Sequence, residues 1–194
     1  MPRYFLALPL PVEASQRLIA LQPADHPSFR LIPLDELHLT LHFLGELTDS
    51  ELRSACRKLA EVKFARFSIE LRGVGQFPFD GPARVLWAGI EWSSELRSLY
   101  EQLGNQLHAA FGFVPDERPY HPHVTLARVN GVLTDDVVKR FLEANRVFEM
   151  PPIELKNFAL FRSELINEIP QYAAVAVFDL VPPREKGSAG QTKV

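Results

Sequence analysis

The amino-acid sequence predicts an α+β fold in which a duplicated β-α-β-α-β unit forms two pseudo-symmetric lobes, with antiparallel sheets around a central cleft. Two observations predict it. The pattern His-x-Thr-apolar occurs at 38–41 and again at 123–126, so that its two histidines lie 85 residues apart. The pattern Gly-x-Leu-Thr-Asp follows each copy, at 45–49 and at 131–135, with an offset of 86. Matching offsets over most of a chain indicate an internal repeat.

The first repeat is predicted to cover about residues 3–80. Its strand segments are rich in β-branched, aromatic and apolar residues, and its helical segments carry apolar residues at helical spacing. Thr48 or Asp49 can cap the second helix by accepting hydrogen bonds from its free N–H groups. In chain order, the predicted elements are a strand at 3–8, a helix at 12–21, a strand at 38–41, a helix at 49–62 and a strand at 67–74.

The second repeat is predicted to cover about residues 84–165, followed by a final strand at 172–180. Residues 182–194 contain Pro, Gly, Ser, Gln and Lys and are expected to form a disordered tail, so that one bilobal domain spans 1–181. The predicted elements of this repeat are a strand at 84–90, a helix at 94–111, a strand at 123–126, a helix at 135–145 and a strand at 153–160.

Composition limits the class of protein. A net charge of −3 over 194 residues argues against a sequence-independent binder of long nucleic acid, but not against a protein that binds the end of a strand. Cys56 is the only cysteine and lies on an apolar helix stripe, which predicts a core thiol and excludes an internal disulfide. No apolar run reaches the roughly 20 residues of a membrane span, and the N-terminus lacks a signal-peptide pattern. We therefore expect a cytoplasmic protein without a membrane segment, and a monomer, because the duplication already supplies a second lobe.

The two His-x-Thr strands carry the candidate site. Residues i and i+2 share one face of a strand, so His38 and Thr40 point together, as do His123 and Thr125. Across a pseudo-twofold axis, the strands would provide two imidazoles for proton transfer and two hydroxyl donors, a set that suits phosphate. A purely structural role in lobe packing is the alternative, but packing does not require histidine in both copies.

This pair of motifs resembles that of the 2H phosphoesterases, a family defined by two His-x-Thr/Ser-x motifs in a duplicated α/β unit. The chain is most similar to the bacterial and archaeal LigT-like RNA 2′,3′-cyclic phosphodiesterases, once called 2′-5′ RNA ligases. The resemblance covers about residues 3–180. It is carried by the segments 3–11, 37–46, 73–78 and 122–128.

The resemblance implies hydrolysis of 2′,3′-cyclic phosphate ends of RNA, or of small cyclic nucleotides, to 2′-phosphates, without a metal or another cofactor. It implies that His38 is the proton donor to the leaving 3′ oxygen and that His123 is the proton acceptor for water. The symmetry of the repeat leaves the order of these two roles open. Thr40 and Thr125 would donate to the non-bridging oxygens. The reverse reaction, 2′-5′ ligation to a 5′-hydroxyl, is expected to be secondary because water is always present.

Several further side chains leave alternatives open. Arg128 is a candidate phosphate-binding residue. Strict strand alternation places it on the face opposite His123, so it reaches phosphate only if the strand twists or ends first. The alternative is a solvated arginine or one that bridges the lobes. His42 shares the parity of His38 and would lie on the RNA backbone or at the rim. Three aromatic residues in loop-like stretches would stack on a base or pack in the core or a lid: Phe77, Phe79 and Tyr120.

Three rival functions follow from the same residues. The first is a zinc site, with ligands drawn from His38, His42, His121 and His123. The second is a non-catalytic module that binds nucleotides or RNA ends. The third keeps the chemistry and changes the substrate to ADP-ribose 1″,2″-cyclic phosphate.

Overall fold

The computed structural model describes residues 2–24, 26–131, 135–167 and 169–182, and its elements follow the predicted order of each repeat. The helices are α1 (Val12–Leu21), α2 (Asp49–Ala60), α3 (Ser94–Phe111) and α4 (Asp135–Ala144), with a 3₁₀ turn at Leu34–Glu36. The strands are β1 (Arg3–Pro9), β2 (Phe29–Leu31), β3 (His38–Glu46), β4 (Phe67–Ile69), β5 (Leu71–Phe77), β6 (Val85–Ile90), β7 (His123–Val129), β8 (Ile153–Leu155), β9 (Asn157–Ile166) and β10 (Ile169–Asp179).

The main sheet confirms the α+β class with antiparallel strands. Its order is β10-β9-β1-β3-β7-β6-β5, and β2 adds to β7. The last long strand of each repeat pairs with the other repeat: β5 pairs with β6, and β9 pairs with β1. Each half of the sheet is therefore built from both repeats, an exchange of strands that the repeat pattern does not indicate.

The end strand predicted in each repeat is split in two. The short pieces β4 and β8 separate from β5 and β9 and pair with each other in a second, two-stranded sheet. The two repeats are thus joined twice, once through the main sheet and once through this small one.

Local signals explain where α2 begins. The Thr48 hydroxyl accepts a hydrogen bond from the backbone N–H of Glu51 at 3.3 Å, and the Glu51 carboxylate accepts one from the backbone N–H of Thr48 at 2.8 Å. This reciprocal pair satisfies two N–H groups that a helix start leaves without partners. The corresponding residue of the second repeat, Thr134, and the tail at 183–194 lie outside the described residues.

The alternation predicted for the His-x-Thr strands is confirmed by burial. Leu39 and Val124 are fully buried in the core, whereas His38 and His123 on the opposite face are half-buried. Cys56, as predicted, packs against the same core. In the described ranges, no helix combines the length and apolar character that a membrane crossing needs.

The cleft arises where the two repeats meet. Strands β3 and β7 are joined by a single antiparallel register pair, Leu39 with Val124. Because the strands pair at this one position only, a cleft opens between the two halves of the sheet. The pseudo-twofold axis passes through this pair.

Candidate active site

The structure brings all five predicted site residues into one cleft. His38, Thr40, His123, Thr125 and Arg128 line a cavity of about 1490 Å³. The antiparallel pairing of Leu39 with Val124 directs each histidine toward the threonine of the other motif. The site is therefore one unit assembled from two strands rather than two separate half-sites.

Each histidine is held by the same hydrogen bond. The Nδ1–H of His38 donates to the backbone carbonyl of Glu36 at 2.6 Å, and that of His123 donates to the backbone carbonyl of His121 at 2.7 Å. A carbonyl can only accept, so the proton lies on Nδ1 in both rings. In both histidines, Nε2 is left as the nitrogen available for proton transfer.

Burial and neighbouring cations make both imidazoles weak bases. Burial lowers the pKa of His38 to about 4, against the opposing effect of the Glu36 carbonyl, with smaller contributions from His123 and Arg128. Burial also lowers the pKa of His123, against the hydrogen bond to the His121 carbonyl, with further lowering by His121 and Arg128. The free protein thus holds two neutral histidines in its cleft at neutral pH, and a bound anion would favour their protonated forms.

Aromatic rings hold the two imidazoles in place. His38 stacks on Phe5 with ring centroids 5.1 Å apart and meets the edge of Tyr172 at 5.6 Å. His123 packs edge-on against Phe77 at 4.9 Å. These contacts restrict ring rotation and exclude water from one side of each histidine.

A bulge brings Arg128 into the cleft. In the pairing of β6 with β7, Leu86 faces Ala127 but Trp87 faces Thr125, so Leu126 is an extra residue. Such a bulge reverses the alternation beyond it. Arg128 therefore returns to the face of His123, which strict alternation would not allow. Its Nε is buried without a hydrogen-bond partner among the described residues, as expected of a donor that awaits a ligand.

A matching bulge in β3 turns His42 away from the site. Leu6 faces His42 but Ala7 faces Thr40, so Leu41 is the extra residue. His42 is only 2% exposed, and its Nε2 donates to the backbone carbonyl of Tyr100 at 2.9 Å. The predictions that His42 shares the face of His38 and lies on the RNA backbone or at the rim are wrong, because they assumed unbroken alternation.

The zinc alternative loses one of its ligands with His42. The four histidines do not face one cavity, since His42 is in the core. Within the part of the chain that the structure describes, no group of three His, Cys, Asp or Glu side chains is arranged to hold a metal ion.

The three aromatic candidates for base stacking lie in different environments. Phe77 lines the cleft beside His123, whereas Phe79 is 62% exposed and does not line it. The Tyr120 hydroxyl donates to the backbone carbonyl of Thr40 at 2.6 Å, and its ring stacks on Tyr100 with centroids 4.4 Å apart. Tyr120 is thus a packing residue that links the loop before β7 to β3.

Several cleft residues escape prediction from the sequence. Arg30 lies on β2, a strand too short for its pattern to be recognised, and is the register partner of Arg128. Tyr172 reaches the site through the β9–β10 hairpin. Phe43 lies 85 residues before Arg128, the same offset that separates the two histidines, so the repeat alignment contained a signal for it.

Comparison with known proteins identifies the family and its named relatives. The family model described as the 2′-5′ RNA ligase superfamily matches residues 10–167. An RNA 2′,3′-cyclic phosphodiesterase of Thermus thermophilus is 34% identical, over 92% of this chain and 90% of its own length. One from Aeropyrum pernix, of the same name, is 33% identical over 71% of this chain and 78% of its own.

Solved structures agree in fold. The crystal structure of a Thermus thermophilus protein superposes with a TM-score of 0.78 at 30% identity, covering 92% of this chain and 97% of that one. E. coli LigT in complex with 3′-AMP superposes with a TM-score of 0.70 at 26% identity, covering 93% and 99%. With a family model matched over most of its length, this chain belongs to the 2′-5′ RNA ligase superfamily.

Proposed function

We propose that this protein hydrolyses the 2′,3′-cyclic phosphate end of RNA to a 2′-phosphate, with His38 as general acid and His123 as general base. The observation that carries the proposal is the matched pair of imidazoles. Each ring is tied at Nδ1 to a backbone carbonyl and lines the same cleft with Nε2 available. The names of the relatives, RNA 2′,3′-cyclic phosphodiesterases, support this substrate class.

The reaction is an in-line displacement at phosphorus. His123 Nε2 accepts a proton from water as the water oxygen bonds to phosphorus. The bond from phosphorus to O3′ breaks, and protonated His38 donates its Nε2 proton to O3′, leaving a free 3′-hydroxyl and a 2′-phosphate. Because the pKa of His38 is lowered in the free protein, the bound phosphate anion must supply the charge that favours its protonated form.

The remaining site residues hold the phosphate. The hydroxyls of Thr40 and Thr125 and the guanidinium of Arg128 line the same cleft and are donors for the two non-bridging oxygens. The negative charge on these oxygens must be stabilised through the transition state. In the proposed mechanism these donors stabilise it, and no metal takes part.

The cleft also suits the end of a strand. A volume of about 1490 Å³ exceeds the usual range for small-molecule pockets and accommodates a terminal nucleotide with its neighbour. One chain supplies both histidines, so a monomer is sufficient for catalysis. An RNA substrate is compatible with the cytoplasm as the site of action. Ligation is the same ring-opening displacement with a 5′-hydroxyl in place of the attacking water, and it remains secondary to hydrolysis.

The test is turnover of a short RNA that ends in a 2′,3′-cyclic phosphate, followed in the presence of EDTA, with the product identified as the 2′-phosphate. We expect His38→Ala and His123→Ala each to lower kcat by about 10²–10⁴-fold, the usual effect of losing one positioned acid or base. His108→Ala removes an exposed histidine of α3 outside the cleft and is the matched control. Near-wild-type rates in either cleft variant would overturn the acid–base pair.

Two parallel measurements separate the rival functions. If the RNA is bound but not consumed, the protein is a binding module and the enzymatic proposal fails. If ADP-ribose 1″,2″-cyclic phosphate is turned over with a higher kcat/KM than the RNA, the chemistry stands and the substrate changes.

A further inference from the structure

Two arginine side chains lie together on the cleft wall where β2 joins β7. The antiparallel pairing of these strands places Arg30 directly opposite Arg128, and both side chains line the cleft. Directly opposed residues of such a pair point to the same face of the sheet, where like charges are destabilising. The pair is therefore a cost to the free protein that a bound anion would offset.

The fold does not neutralise this pair. The Nε of Arg128 is buried without a hydrogen-bond partner, and neither arginine forms an ion pair with another described residue. Glu36 also lines the cleft. Burial and Asp35 raise the pKa of the Glu36 carboxyl, whereas Arg30 lowers it, so the two side chains sense each other without pairing. A single carboxylate cannot balance two guanidinium groups, and this wall keeps a net positive charge.

The cyclic phosphate alone does not require both arginines. It carries one negative charge, and its non-bridging oxygens already have donors in Thr40, Thr125 and Arg128. An RNA strand brings a second phosphate, the phosphodiester on the 5′ side of its terminal nucleotide. Neighbouring strands lie about 4.8 Å apart, and long arginine side chains can diverge beyond that distance. The pair can therefore hold two phosphates of one RNA strand.

From the unbalanced pair and this charge count, we infer that Arg30 binds the phosphodiester on the 5′ side of the terminal nucleotide while Arg128 binds the cyclic phosphate. The protein thereby prefers the end of an RNA strand to a free cyclic mononucleotide. The inference rests on the proposed function and names the substrate that the same site favours.

The experiment compares three substrates that share a terminal adenosine 2′,3′-cyclic phosphate: the mononucleotide, a dinucleotide with a phosphodiester linkage, and the same dinucleotide with an uncharged methylphosphonate linkage. In the wild type, KM for the phosphodiester dinucleotide should be about 10- to 100-fold below that for the methylphosphonate, the range for a hydrogen bond to a charged group. Arg30→Gln is expected to abolish this difference and to leave KM for the mononucleotide unchanged. Arg30→Lys keeps the charge and is expected to retain most of the difference.

Two further readouts separate phosphate binding from a structural role. Loss of one phosphate contact should reduce the salt dependence of KM for the phosphodiester dinucleotide, by about 0.7 in the slope of log KM against log salt concentration. Arg30→Gln also removes one of two opposed like charges, so the melting temperature of the free protein should not fall. Arg84→Gln, at an exposed arginine outside the cleft, is the matched control and should change neither readout. Equal losses of Arg30→Gln on all three substrates, or a lowered melting temperature, would show that the inference is wrong.

ADP-ribose 1″,2″-cyclic phosphate is the competing source of a second phosphate, since it carries a pyrophosphate. If Arg30→Gln impairs turnover of this compound and spares the dinucleotide, the second phosphate is not that of RNA and the inference fails. A wild-type protein that consumes none of these substrates would refute the proposed function. In that case, calorimetric binding of the phosphodiester dinucleotide with a 2′-phosphate end remains as a readout. A Kd that Arg30→Gln leaves unchanged would then refute the inference separately.

Discussion

At the scale of single residues, the site depends on how each histidine is bonded rather than on its presence alone. The bond from Nδ1 of His38 to the Glu36 carbonyl fixes the tautomer, and the equivalent bond fixes that of His123. Burial then lowers both pKa values, so that neither imidazole is charged before a substrate arrives. In the proposed mechanism, one residue type serves as acid on one strand and as base on the other.

The pH dependence of kcat/KM follows from these shifts. A bell-shaped profile is centred on the mean of the two pKa values of the free enzyme, one for the acid and one for the base. Since the pKa of His38 is lowered to about 4 and that of His123 is lowered too, the centre should lie below 6.5. Above it, kcat/KM falls as pH rises, because the protonated acid is lost. Initial rates at low substrate from pH 4 to pH 8 measure this centre, and a value at or above 6.5 contradicts the assignment.

The profile of kcat should differ in a defined direction. At saturating substrate the phosphate anion lies beside both histidines and raises their pKa values. The centre of the kcat profile is therefore expected at a higher pH than that of kcat/KM. Coincident centres would show that substrate charge does not act on this pair.

At the scale of elements, the two central strands, β3 and β7, have few direct hydrogen bonds between them. β3 and β7 share a single register pair, and Tyr120, in the loop before β7, adds a hydrogen bond to the carbonyl of Thr40 in β3. This bond links one His-x-Thr motif to the approach of the other. We therefore expect Tyr120 to act on the site through the position of β3, since it does not line the cleft.

Tyr120→Phe tests that link by removing the hydroxyl and keeping the ring. We expect a loss of about 1 kcal/mol in the free energy of unfolding and a fall in kcat of a few-fold with KM unchanged, because the histidine spacing is loosened while the binding surface stays. Tyr100→Phe is the matched control, since the Tyr100 hydroxyl has no hydrogen bond within the described ranges. Equal effects of the two substitutions on kcat would assign Tyr120 a packing role only.

At the scale of the whole molecule, the parts that the sequence predicted are those decided by local interactions. The ranges of α1 and α3 match the prediction because apolar spacing marks them, and Ser93 and Gly112 cap α3 at its two ends. The exchange of end strands between the repeats was not predictable, because the partner of a strand is chosen by the assembled sheet. The bulges at Leu41 and Leu126 could not be predicted for the same reason, since a bulge is defined only relative to a partner strand. They explain both the wrong face for His42 and the entry of Arg128 into the cleft.

The buried histidines also link folding to pH across the whole molecule. Burial lowers the pKa of His38, His42 and His123 in the folded protein, so the unfolded chain binds more protons than the folded one at mildly acidic pH. Their contribution to stability is complete above about pH 6.5, the ordinary pKa of histidine, and is lost progressively as pH falls below it, down to about pH 4 for His38. Each histidine that stays neutral in the fold adds up to about 1.4 kcal/mol per pH unit to this slope.

His42 offers the cleanest measurement of this slope, because it lies in the core outside the cleft. In His42→Phe the ring still packs on Tyr100, while one protonation site is gone from the unfolded chain. We expect urea unfolding between pH 7 and pH 5 to show a shallower loss of stability in the variant than in the wild type, whatever their difference at pH 7. Parallel curves for the two proteins would mean that His42 takes up its proton without unfolding, and that burial of its ring does not keep it neutral.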